Sequence, residues 1–275
     1  MSIFDLSGRV CVVTGGTQGI GSATAERMAE HGATVVVTSR KQEDAAARAA
    51  ELNNRYGQGR AVPIAFDLMS RKSGAELIER AMQACGRIDT LMCNAAHIVH
   101  GRLQELGPDV DVLGEVLEAN VRNYAALTRN VVPIMRDQGG GGIIYVLSTL
   151  GFFGSPPFLS YSLAKAALAH MTKVLAVDYG PDNIRVNSLT PGSFATKSKL
   201  QTDPDAGRIF VERIPLSRQG QPDEIAGMAV LLASPAGAYA TGQNFIFDGG
   251  QLLKGNEAAA EGYDAAMGKR PLQDG

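Results

Sequence analysis

Arg9-Val10-Cys11-Val12-Val13-Thr14, followed by Gly15-Gly16-Thr17-Gln18-Gly19-Ile20-Gly21, decides the fold class of this 275-residue chain. The first six residues are an apolar, β-branched run of strand length, and a helical pattern continues past Gly21 to His31. Glycines between a strand and a helix let the backbone turn sharply and approach a phosphate, whose charge is met by N–H groups at the helix start. A second strand run, Ala33-Thr34-Val35-Val36-Val37-Thr38, completes a βαβ unit and turns a common glycine-rich motif into a reading of dinucleotide binding.

The alternation continues outward from this unit. The pattern predicts helices over Gln42–Tyr56 and Arg71–Cys85 around a strand Ala61–Phe66 that ends at Asp67. Next come a strand Asp89–Cys93 ending at Asn94-Ala95-Ala96, one long helix Val110–Arg136 and a strand Gly142–Leu147. A helix Phe158–Tyr179, a strand Ile184–Leu189 closing on Pro191-Gly192, a helix Pro222–Ala233 and a last strand Asn244–Phe247 complete the series. Strands separated by helices of this length pair in parallel with helices on both faces. The expectation is one α/β, Rossmann-type doubly wound domain of about seven strands over residues 1–250, with 251–275 a C-terminal tail that carries no motif.

Twenty-six basic residues against 28 acidic ones give a net charge of −2, so nothing favours nucleic acid or an anionic membrane as partner. The amino terminus lacks a charged and then apolar leader, and no apolar run reaches the length of a membrane span; the expected location is cytoplasmic. Cys11, Cys85 and Cys93 are an odd number in apolar settings, which suits reduced core thiols. His31, His97, His100 and His170 show no metal-ligand spacing, so no metal is expected.

The chemistry is concentrated between Ser148 and Lys165. The Gly142–Leu147 strand delivers Ser148 at its carboxyl end, where ligands sit in open α/β sheets. Thirteen residues later Tyr161 is followed at i+4 by Lys165, and a helix here puts the ammonium beside the phenol. A fixed positive charge favours phenolate, so the pairing predicts a lowered tyrosine pKa and a group able to donate and accept a proton. Tyr and Lys four apart also describe a solvated helix face, and the rest of the chain has to decide.

With both segments placed, the sequence resembles the short-chain dehydrogenase/reductase family from about Leu6 to Gly250. The resemblance rests on Thr14-Gly15 through Gly19-Ile20-Gly21, Asp67, Asn94-Ala95, Asn120, Ser148, Tyr161 with Lys165, Asn187 with Pro191-Gly192, Thr196, and Asp248-Gly249-Gly250. It implies an oxidoreductase that passes hydride between a nicotinamide cofactor and a carbonyl or alcohol carbon. Tyr161 then moves the proton, Ser148 hydrogen-bonds the reacting oxygen, and Lys165 lowers the tyrosine pKa and holds the nicotinamide ribose. Asn120 kinks its helix and positions a water linked to Lys165.

The implied cofactor contacts are Gly15, Thr17, Gln18, Gly19, Ile20 and Gly21 in the first loop, with Ser39, Arg40 and Lys41 after the second strand. Asp67 and Leu68 flank the adenine, Asn94, Ala95 and Ala96 the ribose, and Pro191, Gly192, Phe194 and Thr196 the far side, together with Tyr161 and Lys165. Ser39 stands where NAD-selective members carry Asp, and Arg40 and Lys41 add positive charge, so NADP(H) is the expected cofactor with NAD(H) as the alternative. One departure lies in the usual Asn-Asn-Ala-Gly, here Cys93-Asn94-Ala95-Ala96, which puts a methyl where glycine allows close approach.

Leu150, Phe152, Phe153, Phe158 and Phe194 are expected near the pocket mouth and point to a substrate with an apolar body. The stretch from Lys197 to Arg213 is expected to form a lid. By resemblance the assembly is a homotetramer pairing the Val110–Arg136 and Phe158–Tyr179 helices. A non-catalytic NADP(H)-binding sensor or assembly subunit on the same fold is the competing reading, against which stands the intact Asn120, Ser148, Tyr161 and Lys165 set.

Overall fold

The computed structural model describes residues 2–196 and 211–253. Seven strands form one parallel sheet in the order β3-β2-β1-β4-β5-β6-β7. They are β1 Val10–Val13, β2 Thr34–Ser39, β3 Ala61–Ala65, β4 Thr90–Cys93, β5 Gly141–Val146, β6 Ile184–Pro191 and β7 Asn244–Phe247. Among the described residues the α-helices are α1 Gly19–Glu30, α2 Gln42–Tyr56, α3 Ser73–Cys85, α4 Asp111–Leu117, α5 Asn123–Asp137, α6 Leu159–Tyr179 and α7 Pro222–Ala233.

Alternation along each strand feeds two cores. Val10 and Val12 of β1 pack with Tyr124, Leu127 and Val131 of α5 and Leu168 of α6 on one face. Cys11 and Val13 pack with Met28 of α1, Leu52 of α2 and Ile225 of α7 on the other. With both faces covered, the strands are near-continuous apolar runs, as the β1 burial shows. The strand order reverses between β1 and β4, which are paired with Val13 beside Met92. The loops leaving these two strands diverge to opposite sides and open a crevice at the carboxyl edge.

The long helix predicted over Val110–Arg136 is interrupted. Its turn Glu118–Arg122 is a π-helix between α4 and α5. Asn120 explains the widening, because its Nδ2 donates to the Val116 carbonyl at 2.9 Å and competes with the backbone for that acceptor. The predicted lid falls largely on residues 197–210, and most of the tail on 254–275; both lie outside the described residues. Among the described residues no helix is long and apolar enough to cross a membrane, and no group of three or more His, Cys, Asp or Glu could hold a metal ion.

Candidate active site

The crevice between β1 and β4 brings the glycine loop against Asn94. Gly15 and Gly19 have φ of +67° and +54°, a left-handed backbone that glycine adopts freely. A Cβ on Gly21 would lie 2.1 Å from the Gly15 carbonyl oxygen and 2.4 Å from Asn94 Nδ2, so only glycine fits there. A Cβ on Gly19 would meet the Thr196 side chain at 3.2 Å, which places Thr196 against the same loop. The α1 N-cap, Gln18, is extended and makes no side-chain cap bond, and no acidic residue occupies the first turn. Uncapped N–H groups over a close-approach glycine loop suit a dinucleotide phosphate.

Thr14 holds this loop to the next one. Its Oγ1 accepts from the backbone N–H groups of Asn94 and Ala95 at 2.8 and 3.1 Å. Asn94 Nδ2 returns a bond to the Thr14 carbonyl at 2.9 Å. Ala96 is exposed. Beyond it, Asn120 Oδ1 accepts from the His97 N–H at 3.0 Å and its Nδ2 donates to the His97 carbonyl at 2.7 Å. The Asn120 side chain therefore clasps the loop after β4. Its side-chain amide is fully engaged by His97 and Val116.

At the end of β2, Ser39 is half-buried and Arg40 and Lys41 are exposed. The residue before them, Thr38, anchors the glycine loop, with its Oγ1 accepting from the Gly15 N–H at 3.1 Å. Asp67 accepts from the Met69 N–H at 3.0 Å, an Asx turn that shapes the end of β3. Leu68 is buried, and its carbonyl accepts from Asn123 of α5 at 2.7 Å. Pro191 ends β6, and a Cβ on Gly192 would come within 2.8 Å of the Asp248 backbone.

Ser148 follows β5 in extended conformation, and its Oγ accepts from the Leu150 N–H at 3.2 Å. The same hydroxyl favours the ionised form of the Tyr161 phenol. Tyr161 lies in the first turn of α6, and Lys165 one turn on is 1 % exposed. The Lys165 ammonium donates to the Val146 carbonyl at 2.6 Å and sits 5.3 Å from the centroid of the tyrosine ring. The three residues are thus brought together, but the predicted lowering of the phenol is not observed. Burial pushes the Tyr161 pKa up, and the nearby Ser148 hydroxyl opposes it only in part. Burial also lowers Lys165 to about 8. Desolvation penalises both charged forms, and it outweighs an ammonium whose nearest bond is to a carbonyl.

The aromatic residues expected at the pocket mouth differ in exposure. Phe152 is 45 % exposed, and half-buried Phe158 meets the ring of His100 edge-on with centroids 4.7 Å apart. Phe194 is instead core, with a ring that a Cβ on Gly220 would strike at 2.8 Å. A small cavity between β6, β7 and α7, lined by Ser193, Phe194, Arg218 and Asp248, contains none of the Ser148, Tyr161 and Lys165 groups. Two residues of this region escaped the sequence reading: Asn123 and Tyr124, whose side chains reach from α5 to the loops after β3 and β4.

The family model described as enoyl-(acyl carrier protein) reductase matches residues 15–251. The chain belongs to the short-chain dehydrogenase/reductase family. It is 36% identical over 249 residues to the human dehydrogenase/reductase SDR family member 4, covering 89% of this chain and 88% of that protein. It is 34% identical to the 3-oxoacyl-(acyl-carrier-protein) reductase FabG of Thermotoga maritima, covering 90% of this chain and 99% of that one. A gluconate 5-dehydrogenase from Burkholderia cenocepacia, solved in complex with NADP and tartrate, superposes with a TM-score of 0.84 at 30% identity, covering 91% of this chain and 97% of that one. As a member of this family the chain is an oxidoreductase, and membership implies a small-molecule substrate.

Proposed function

We propose that this short-chain dehydrogenase/reductase interconverts a carbonyl and a secondary alcohol with NADP(H), using Tyr161 as the proton-transfer group. The observation that carries the reading is the convergence of Ser148 and Tyr161 above buried Lys165, at the same sheet edge as the glycine loop. The first loop, Asn94, Ala95 and Thr196 would hold the cofactor, which supplies the hydride when bound. Burial keeps the Tyr161 phenol protonated at neutral pH, so it is poised to donate to a carbonyl oxygen as charge grows there. The Ser148 hydroxyl stabilises the same oxygen. Donation leaves a phenolate beside the Lys165 ammonium, and each charge then relieves the desolvation of the other.

NADP(H) is favoured over NAD(H) by Ser39, which presents no carboxylate to repel a phosphate, and by Arg40 and Lys41, neither of which has an ion-pair partner among the described residues. A structural relative solved with NADP supports the same choice. The exposed Phe152 favours a substrate with an apolar body. Exposed Leu163, Val174 and Val177 on α6 support a homotetramer built on that helix.

The test is a panel of ketones, aldehydes and secondary alcohols with both cofactors, following absorbance of the reduced nicotinamide. Turnover with kcat/KM at least about tenfold higher for NADP(H) is expected, and Ser39→Asp with Arg40→Ala should erase that ratio, in line with the usual worth of charge-assisted phosphate contacts. Equal or better use of NAD(H) by the wild type would overturn the cofactor assignment. No turnover with any carbonyl or alcohol would overturn the reaction.

A further inference from the structure

The phenol of Tyr124 is fully buried, yet it is not idle core. Its hydroxyl donates to the Ala95 carbonyl and lies 3.2 Å from Thr14 Oγ1. Thr14 Oγ1 itself accepts from the N–H groups of Asn94 and Ala95. Its own hydrogen is shared between Tyr124 and the Met92 carbonyl, both at 3.2 Å. Two hydroxyls therefore tie down both backbone faces of Ala95, at the point where the loops after β1 and β4 face each other. Burial holds the phenol neutral, so its hydrogen stays available for the carbonyl.

The position of Tyr124 on its helix adds to this. It lies in the first turn of α5, directly after the π turn that holds Asn120. Asn120 grips the N–H and carbonyl of His97, and Tyr124 grips Ala95, so the π turn and the first turn of α5 together fix the Asn94–His97 loop at two points. Asn123, between them, holds the loop after β3 through the Leu68 carbonyl. The usual first asparagine of the loop motif is here Cys93, a fully buried thiol that leaves this strand end without that side-chain amide.

We infer that Tyr124 is a positioning residue for the cofactor: through Thr14 and Ala95 it sets the separation of the glycine loop and the Asn94–Ala95 loop, and hence the fit of the adenosine half of a nicotinamide dinucleotide. The inference rests on the proposed use of such a cofactor. It assigns to the α5 helix, beyond Asn120, control of cofactor affinity more than of the chemical step.

The same helix supplies a control. Thr128 Oγ1 and the Tyr145 hydroxyl form another fully buried pair at 2.5 Å, and Tyr145 lies near the Tyr124 ring, but neither hydroxyl touches the two loops. NADPH fluorescence titration of the full chain would compare wild type, Tyr124→Phe and Thr128→Val. Tyr124→Phe strands the Ala95 carbonyl, and the expected rise in Kd is roughly 5- to 50-fold, the scale of an unsatisfied buried polar group. Its kcat at saturating cofactor should fall no more than about threefold, so the effect appears in KM. Thr128→Val should lose comparable thermal stability with Kd unchanged within about twofold, since it loses a buried bond but no loop contact.

Equal Kd in Tyr124→Phe and wild type, or an equal rise in Thr128→Val, would overturn the inference. If Tyr124→Phe does not fold, Thr14→Ser and Thr14→Val decide it: only the valine should weaken binding, and matched affinities would again overturn it. A wild type that binds neither NADPH nor NADH would remove the functional reading and this inference together, whereas tight wild-type binding unchanged by Tyr124→Phe removes the inference alone.

Discussion

Lys165 shows how a charge is tuned by where its chain is forced to run. The side chain passes through the interior of the α6 face, and its ammonium ends on the Val146 carbonyl with almost no exposure. Burial lowers its pKa from 10.5 to about 8. Below about 8 the group is protonated in both the folded and unfolded chain, and its contribution is constant. Between about 8 and 10.5 the unfolded chain holds more protons, so this contribution to stability rises with pH through that window. Urea denaturation of wild type and Lys165→Met at pH 7 and pH 9.5 isolates the effect, because the other titrating groups are common to both. The stability difference should move in favour of wild type by about 1–2 kcal/mol at the higher pH, from the free energy of one pKa unit. A difference that does not change with pH would show that Lys165 is not desolvated. The sequence revealed the Tyr161 and Lys165 pair through its i+4 spacing, but not the sign of the tyrosine shift. Spacing reports that two groups are neighbours, whereas the balance of desolvation against attraction depends on the depth to which both are buried.

At the level of elements, the first βαβ unit could be read almost residue by residue. Its strand, glycines and helix are contiguous, and the constraint at Gly21 arises from Gly15 within the same loop and from Asn94 across the crevice. The outer bounds of α2, α7 and β7 agree with the pattern because caps and turn residues mark them locally. The residue pattern alone did not show the π turn, which the family resemblance implied as a kink at Asn120, since the Asn120 amide that takes the Val116 carbonyl is also held by His97, 23 residues away. Tyr124 did not show either. In sequence it belongs to the apolar face with Leu127 and Val131, and only the tertiary fold turns its hydroxyl onto Thr14 and Ala95. Phe194 was ambiguous for a related reason, because an aromatic just past a strand end can fall to either side. Packing on Gly220 decides for the core.

For the whole molecule, the sheet order gathers the candidate site at one edge. The reversal between β1 and β4 opens the cofactor crevice, and β5 and α6 bring Ser148 and Tyr161 to it. The opposite side of α6 is left for other contacts. Val177 is 77 % exposed there, with Leu163 and Val174 along the same helix. Light scattering should give four times the 29.0 kDa chain mass, and Val177→Glu should shift the population to smaller species, because a charge in an apolar contact is strongly unfavourable. A monomer mass for wild type would reject the assembly. The most direct test of carbonyl–alcohol chemistry is the turnover of Tyr161→Phe, which removes the phenolic hydroxyl and little else. With a substrate found in the panel, kcat should fall by ~10²–10⁴ while cofactor Kd stays within about twofold, the signature of a lost acid–base group; turnover within a few fold of wild type would contradict Tyr161 as the proton-transfer residue.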